Sequence, residues 1–153
     1  MYGKIYDIRL KFYVNMELNY IAIIAATVAQ FVVSAVWYMP IFGKVWGEMH
    51  GFDMLPPEVQ KEAQQKMMPF LGLQFVMTLI TTTVLALFIA GLPEMWNLYG
   101  IAGFMWLGFV MPTQVGAVVF GGTDPKWVVK KICIMSGASF LSLMTAVLVF
   151  QLF

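Results

Sequence analysis

Gln30, Ser34, Gln74, Thr78, Thr113 and Gln114 are polar residues set inside otherwise apolar runs. Gln30 and Ser34 stand one helical turn apart and share a face. Gln74, Thr78, Thr81 and Thr82 follow helical spacing along one side of a second segment. Thr113 and Gln114 come directly after Pro112, whose ring frees a backbone carbonyl. Polar groups surrounded by hydrocarbon must find their partners within protein. The three glutamines with their neighbours can build an uncharged pocket able to hold a neutral or zwitterionic small molecule. The same residues can serve as interhelical hydrogen bonds worth about 0.6 kcal/mol each on average, which is the commoner role.

Acid–base and nucleophilic chemistry find less support. His50 is the single histidine, with Glu48 two residues before it and Asp53 three after. Such a trio could do proton transfer at a membrane surface, but a solvated loop accounts for the same residues. One His and one Cys do not make a metal site, so no metal or cofactor is expected. Cys133 is near Lys130 and Lys131, which would depress its pKa if they lay close in space; a buried, inert thiol is expected instead. Gly121-Gly122-Thr123-Asp124-Pro125 has turn chemistry rather than that of a phosphate loop. Coupled transport needs an ionisable group within the membrane, and the first apolar run offers only Gln30. No catalytic residues are assigned, and the chain is expected not to be an enzyme.

The elements that must position these residues are long and apolar. Of the 153 residues, 61% are hydrophobic and 11% charged, with a mean hydropathy of +0.81. A soluble domain is typically about 45–50% apolar and about 25% charged. Crossing a hydrocarbon core takes roughly 20 apolar residues of helix. Four segments reach that length without Asp, Glu, Lys, Arg or His, at about residues 18–39, 70–90, 99–120 and 132–153. The expected fold class is all-α, a four-transmembrane-helix bundle forming one integral membrane domain over residues 1–153. The first run is too long for a signal peptide and no cleavage site follows it. The lone cysteine excludes an internal disulfide. A net charge of +1 with interleaved signs argues against a nucleic-acid partner. Membrane lipids are the expected partners, together with a second copy of the chain.

An even number of spans puts both termini on one side. The first connection carries Lys44, Lys61 and Lys66 and the third carries Lys126, Lys130 and Lys131, against Lys4, Arg9 and Lys11 in the N-terminal tail. Basic residues near span ends favour the cytoplasm. Both termini are therefore expected outside, with connections 40–69 and 121–131 inside a prokaryotic cytoplasmic membrane. Residues 1–15, which precede a second methionine at Met16, are an N-terminal extension without recognisable chemistry. Trp37, Tyr38, Trp46 and Trp127 fall on the lysine-bearing side, where amphipathic aromatics anchor to headgroups. Within the first connection, Pro56, Pro57 and Glu58 suit a helix start. Leu55, Val59, Ala63 and Met67 then give an apolar stripe, predicting a short interfacial helix separate from the second span. Gly100, Gly103, Gly108 and Gly116 are expected to admit close neighbours to the third span, with a kink at Pro112. Ala138, Ser139, Ser142, Thr145 and Ala146 form a small-residue stripe on the fourth. Met39-Pro40 and Met111-Pro112 echo each other near the same-side ends of spans one and three.

Asn19-Tyr20 before the first run, then Ser34, Trp37, Tyr38, Pro40, Phe42, Gly43 and Trp46 at its end, form a spaced set. Trp106-Leu107-Gly108-Phe109 followed by Pro112 forms a second one. Together they resemble the landmarks of domain of unknown function 1761, a family of small bacterial and archaeal membrane proteins. The family commonly has glycine where Ser34 stands. The resemblance implies a four-helix membrane fold and no established activity.

These residues favour a non-enzymatic membrane scaffold or accessory subunit, with a small-molecule transporter or channel as the alternative and a membrane-embedded enzyme third. Trp37, Tyr38, Pro40 and Trp46 are expected to pack against the third span around Pro112.

Overall fold

The computed structural model describes residues 18–92 and 96–153, and among them all regular structure is helical. The N-terminal extension and Glu94 lie outside the described residues. Four helices are long and apolar enough to cross a membrane: α1 (Tyr20–Ile41), α3 (Pro57–Ala90), α4 (Leu98–Phe120) and α5 (Val128–Phe150), the last preceded by a 3-10 turn at Pro125–Trp127. A short helix, α2 (Gly43–Met49), lies between α1 and α3.

Local chemistry explains the helix ends. Asn19 caps α1 by accepting the amide of Ala22 at 3.0 Å, and Asn97 caps α4 by accepting that of Gly100 at 3.1 Å. Gly51, with φ at +66°, terminates the α2 segment in a left-handed conformation that costs glycine little. Asp124 accepts the amide of Lys126 at 3.0 Å and opens the turn into α5.

Both Met-Pro pairs sit at widened turns. Residues Trp37–Ile41 and Trp106–Val110 are π-helical. The amide of Phe42 reaches back five residues to the carbonyl of Trp37, and that of Met111 five residues to Trp106. A proline has no amide to continue an α-helical ladder, and a π-turn absorbs the lost bond without ending the helix. The expected kink at Pro112 therefore takes the form of a π-turn just before it.

The interfacial segment corrects one expectation. The stretch from Pro57 is not a separate short helix; it is the beginning of α3, which continues through Pro69 for 34 residues. Glu, Gln, Lys, Ala and Met between Pro57 and Pro69 are good helix formers, with no glycine to break the run. The short helix of the first connection is α2, one segment earlier. Of the expected stripe, Leu55, Val59 and Met67 are exposed.

Helix α5 is central, packing against both α1 and α4, while α3 packs against α1. Helices α3 and α4 approach each other most closely near the Leu98–Met105 end. The core gathers Ala26, Leu85, Ala102, Leu143, Ala146 and Val147. Alanine on three different helices lets backbones come close, so dispersion contacts replace the hydrophobic drive that lipid surroundings do not supply. The small-residue stripe of α5 does sit at this interface: Ala138 and Ala146 are buried, and Ser139, Ser142 and Thr145 half-buried. The α4 glycines behave otherwise. A side-chain carbon built on Gly108 or Gly116 meets nothing within 4 Å, and one on Gly100 or Gly103 meets only ordinary contacts. Gly108 is thus not a close-packing position within the chain. The glycine that admits a side chain of another spanning helix is Gly137 on α5, beneath Trp37 of α1.

Candidate functional site

Gln30 lies at mid-helix on α1 and is buried, with 1% of its surface exposed. Its amide nitrogen donates to the hydroxyl of Thr82 on α3 and to the carbonyl of Ala26 at 3.2 Å. Its amide oxygen accepts the hydroxyl of Ser142 on α5 at 3.1 Å. Thr82 passes its own proton to the carbonyl of Thr78 at 2.7 Å. One glutamine thus ties three helices together with both its donors and its acceptor in use, as a buried amide requires.

Next to this knot, in the space that α3 and α4 leave between them, is a cavity of about 270 Å³. Gln30, Ser34 and Tyr38 contribute one wall from α1, each four residues after the last. Gln74, Met77, Thr78 and Thr81 contribute the α3 wall, and Val110 and Gln114 the α4 wall. Met135, Ala138, Ser139, Ser142 and Leu143 of α5 close the back. Gln74, Met77 and Thr81 are themselves exposed, so the cavity is a groove opening sideways rather than an enclosed chamber. It carries no charged side chain.

Of the six polar residues singled out from sequence, five line this groove and Thr113 does not. Thr113 is exposed and donates to the carbonyl of Phe109, a helical back-bond. Gln114 accepts from Ser139 at 3.2 Å, and Ser139 in turn accepts the indole N–H of Trp106 at 3.1 Å. Sequence reasoning placed Ser139 and Ser142 in a packing stripe and Tyr38 in an aromatic exit, and so missed all three as walls. A usable signal was present: Tyr38 continues the four-residue spacing of Gln30 and Ser34.

The aromatic motif packs differently from expectation. Trp37 docks on α5, where its indole N–H donates to the carbonyl of Ile134 at 3.0 Å. Phe42 lies on Trp37 at 4.7 Å between ring centroids, and Trp46 lies edge-on to Tyr38 at 5.0 Å. A methyl on Gly43 would sit 3.2 Å from the Tyr38 carbonyl. Pro40 forces the π-turn that folds these rings onto one another. The set is a self-packed elbow seated on α5, not a contact with the Pro112 region of α4, because α1 neighbours α5 and only Tyr38 shares the groove with α4. Trp106 secures α4 to the same helix through the carbonyl of Ser136 at 3.0 Å.

The acid–base trio does not assemble. His50 Nδ1 is 2.8 Å from the carbonyl of Trp46, which can only accept, so Nδ1 carries the proton and Nε2 accepts from Lys131 at 3.3 Å. The imidazole also stacks on Trp46 at 4.6 Å. Asp53 lies over Gly47 instead, where an added methyl would meet its carboxylate. Cys133 is exposed rather than buried, on the outer surface of α5. Among the described residues no group of three His, Cys, Asp or Glu could hold a metal. Asp124 has its carboxyl held below the usual aspartate range, first by the backbone amide of Lys126 and then by that residue's ammonium at 3.3 Å.

A family model described as "Protein of unknown function (DUF1761)" matches residues 21–151. The chain belongs to this family. No curated protein and no solved structure compared with the chain matches it. The matched stretch of the DUF1761 member contains the elbow, both π-turns and every wall of the groove.

Proposed function

We propose that this DUF1761 protein is a non-enzymatic protein of a prokaryotic cytoplasmic membrane that binds a small uncharged polar molecule in the groove between α3 and α4. The observation that carries the reading is convergence. Polar side chains from four helices, far apart in sequence, meet around one open volume in the middle of otherwise apolar segments. Composition alone favours a scaffold, and interhelical hydrogen bonding accounts for Gln30. It does not account for the polar groups that face open space, which are costly in hydrocarbon unless something pairs with them. The lack of charge in the walls selects against ions, and the sideways opening favours a ligand arriving through the bilayer.

In this reading both termini face outside, and connections 40–69 and 121–131 face the cytoplasm. The approach of Lys131 to His50 and Trp46, which joins these two connections at one end, supports their sharing a side. A Lys61→Cys variant labelled by an impermeant thiol reagent from outside would reverse the orientation.

The binding test compares the wild-type chain with a groove-filled Thr78→Phe/Ser142→Leu variant, both isolated in native lipid particles. Mass spectrometry of co-isolated small molecules is expected to show a species retained by the wild type and depleted at least fivefold in the variant. Identical profiles from two equally folded proteins would sink the reading.

A further inference from the structure

The hydrogen-bonding groups of the groove are not balanced between donors and acceptors. The hydroxyl protons of Thr78, Thr81 and Ser142 are committed, to the carbonyls of Gln74 and Met77 and to the Gln30 amide oxygen respectively. Ser139 accepts from Trp106 and turns its proton towards Gln114 Oε1 or the Ser136 carbonyl. Because Gln114 accepts there through its oxygen, its amide nitrogen is left with both protons and no described partner. The hydroxyls of Ser34 and Tyr38 likewise pair with no described residue. Gln74 donates only one long contact, 3.5 Å to Thr78.

The unused donors are the hydroxyls of Ser34 and Tyr38, both Gln114 amide protons and half of the Gln74 amide, while the Gln74 carbonyl oxygen and the spare lone pairs of the hydroxyls can still accept. An amide proton without an acceptor makes no bond at all, whereas an oxygen that already donates or accepts has made one, so a guest whose polar group accepts relieves the larger cost. Beside these groups stand Met77, Val110, Met135 and Leu143, which suit a hydrocarbon body. From this arrangement we propose that the groove's ligand is a lipid-soluble carbonyl compound, such as a ketone, quinone or ester, entering between α3 and α4 with its oxygen towards Tyr38 and Gln114. The inference rests on the binding reading above and specifies its ligand class. Nothing in it requires bond making or breaking.

The full chain in lipid nanodiscs is exposed to 2-tridecanone and, separately, to tridecane, which share a chain length and differ in the carbonyl. Native mass spectrometry counts bound probe per chain as the probe's mole fraction in the lipid rises. The ketone is expected to saturate at one per chain, at a mole fraction at least tenfold below the alkane. A Tyr38→Phe/Gln114→Leu variant keeps the ring against Trp46 and leaves Ser139 the Ser136 carbonyl, so it is expected to fold and to lose that tenfold preference. Equal saturable binding of ketone and alkane overturns the ligand class and leaves the groove as a binding site. A preference that survives in the double variant overturns the assignment to these donors. Saturation by the alkane alone overturns the class, and failure of both probes to saturate overturns the class and the binding reading together.

Discussion

The six-membered ring of Trp37 lies so close over Gly137 that a methyl group placed on that glycine would sit 2.9 Å from Cζ2. The same indole donates to Ile134, one turn earlier on α5. Gly137→Ala must therefore push the ring off its carbonyl or separate α1 from α5. Overpacking of this sort costs about 1–3 kcal/mol. A denaturant or thermal unfolding series in detergent is expected to show that loss, whereas Gly108→Ala, in open space, should fall within about 0.5 kcal/mol of wild type. Equal effects at the two glycines would contradict the packing described.

Removing the Gln30 amide tests the three-helix tie. Gln30→Leu fills the same volume but leaves Thr82 and Ser142 to their own helices. Since interhelical bonds in lipid average about 0.6 kcal/mol, the expected cost is about 1–2 kcal/mol. A double-mutant cycle between Gln30→Leu and Ser142→Ala should give a coupling of about 0.6 kcal/mol. A coupling near zero would show that the Ser142 contact adds no stability.

Ser136 has a buried hydroxyl oxygen with no hydrogen-bond partner among the described residues. An orphaned polar group costs free energy that its removal recovers. Ser136→Ala is expected to leave stability unchanged or raise it by up to about 1 kcal/mol, read from the same unfolding series. A loss above that amount would require a partner for the hydroxyl.

Acidification has a defined local consequence at Asp124. Its folded pKa is lowered, chiefly by the Lys126 amide, so the charged cap favours the folded turn at any pH above the unfolded aspartate value. That contribution fades as pH falls through the lower, folded value. The Lys126 amide chemical shift should titrate with a midpoint below the ordinary aspartate pKa of about 3.9, and Asp124→Asn should abolish the titration. A midpoint at or above the ordinary value would refute the cap.

Fold class was readable because runs of uncharged apolar residues have one stable form in a bilayer, and the four runs end within a few residues of the observed helices. The separate interfacial helix was misplaced because the apolar run begins only at Phe70, although the residues before it are strong helix formers that carry one helix through Pro69. The polar residues of the groove were visible as a set, since hydrocarbon makes every amide conspicuous. Which helix neighbours which was not visible. That is why Trp37 was expected on α4 when it sits on α5, and why Gly137, one glycine among 13, carried no mark of its importance. Thr113 failed for a local reason: it is next in sequence to Gln114 but on the exposed side of α4, while Val110 and Gln114, one turn apart, face the groove.

Helix α3 runs unbroken for 34 residues, roughly 51 Å at 1.5 Å per residue, and buries only Thr82 and Leu85. Its buried residues, and the Phe75 ring that meets Phe31 of α1 at 5.5 Å, all lie in its second half. From Pro57 to Phe75 is roughly 27 Å of helix, along which no side chain is buried. That length carries the Glu62–Lys66 ion pair at 2.7 Å, so one continuous helix passes from a charged, exposed half to the apolar half that carries the groove wall.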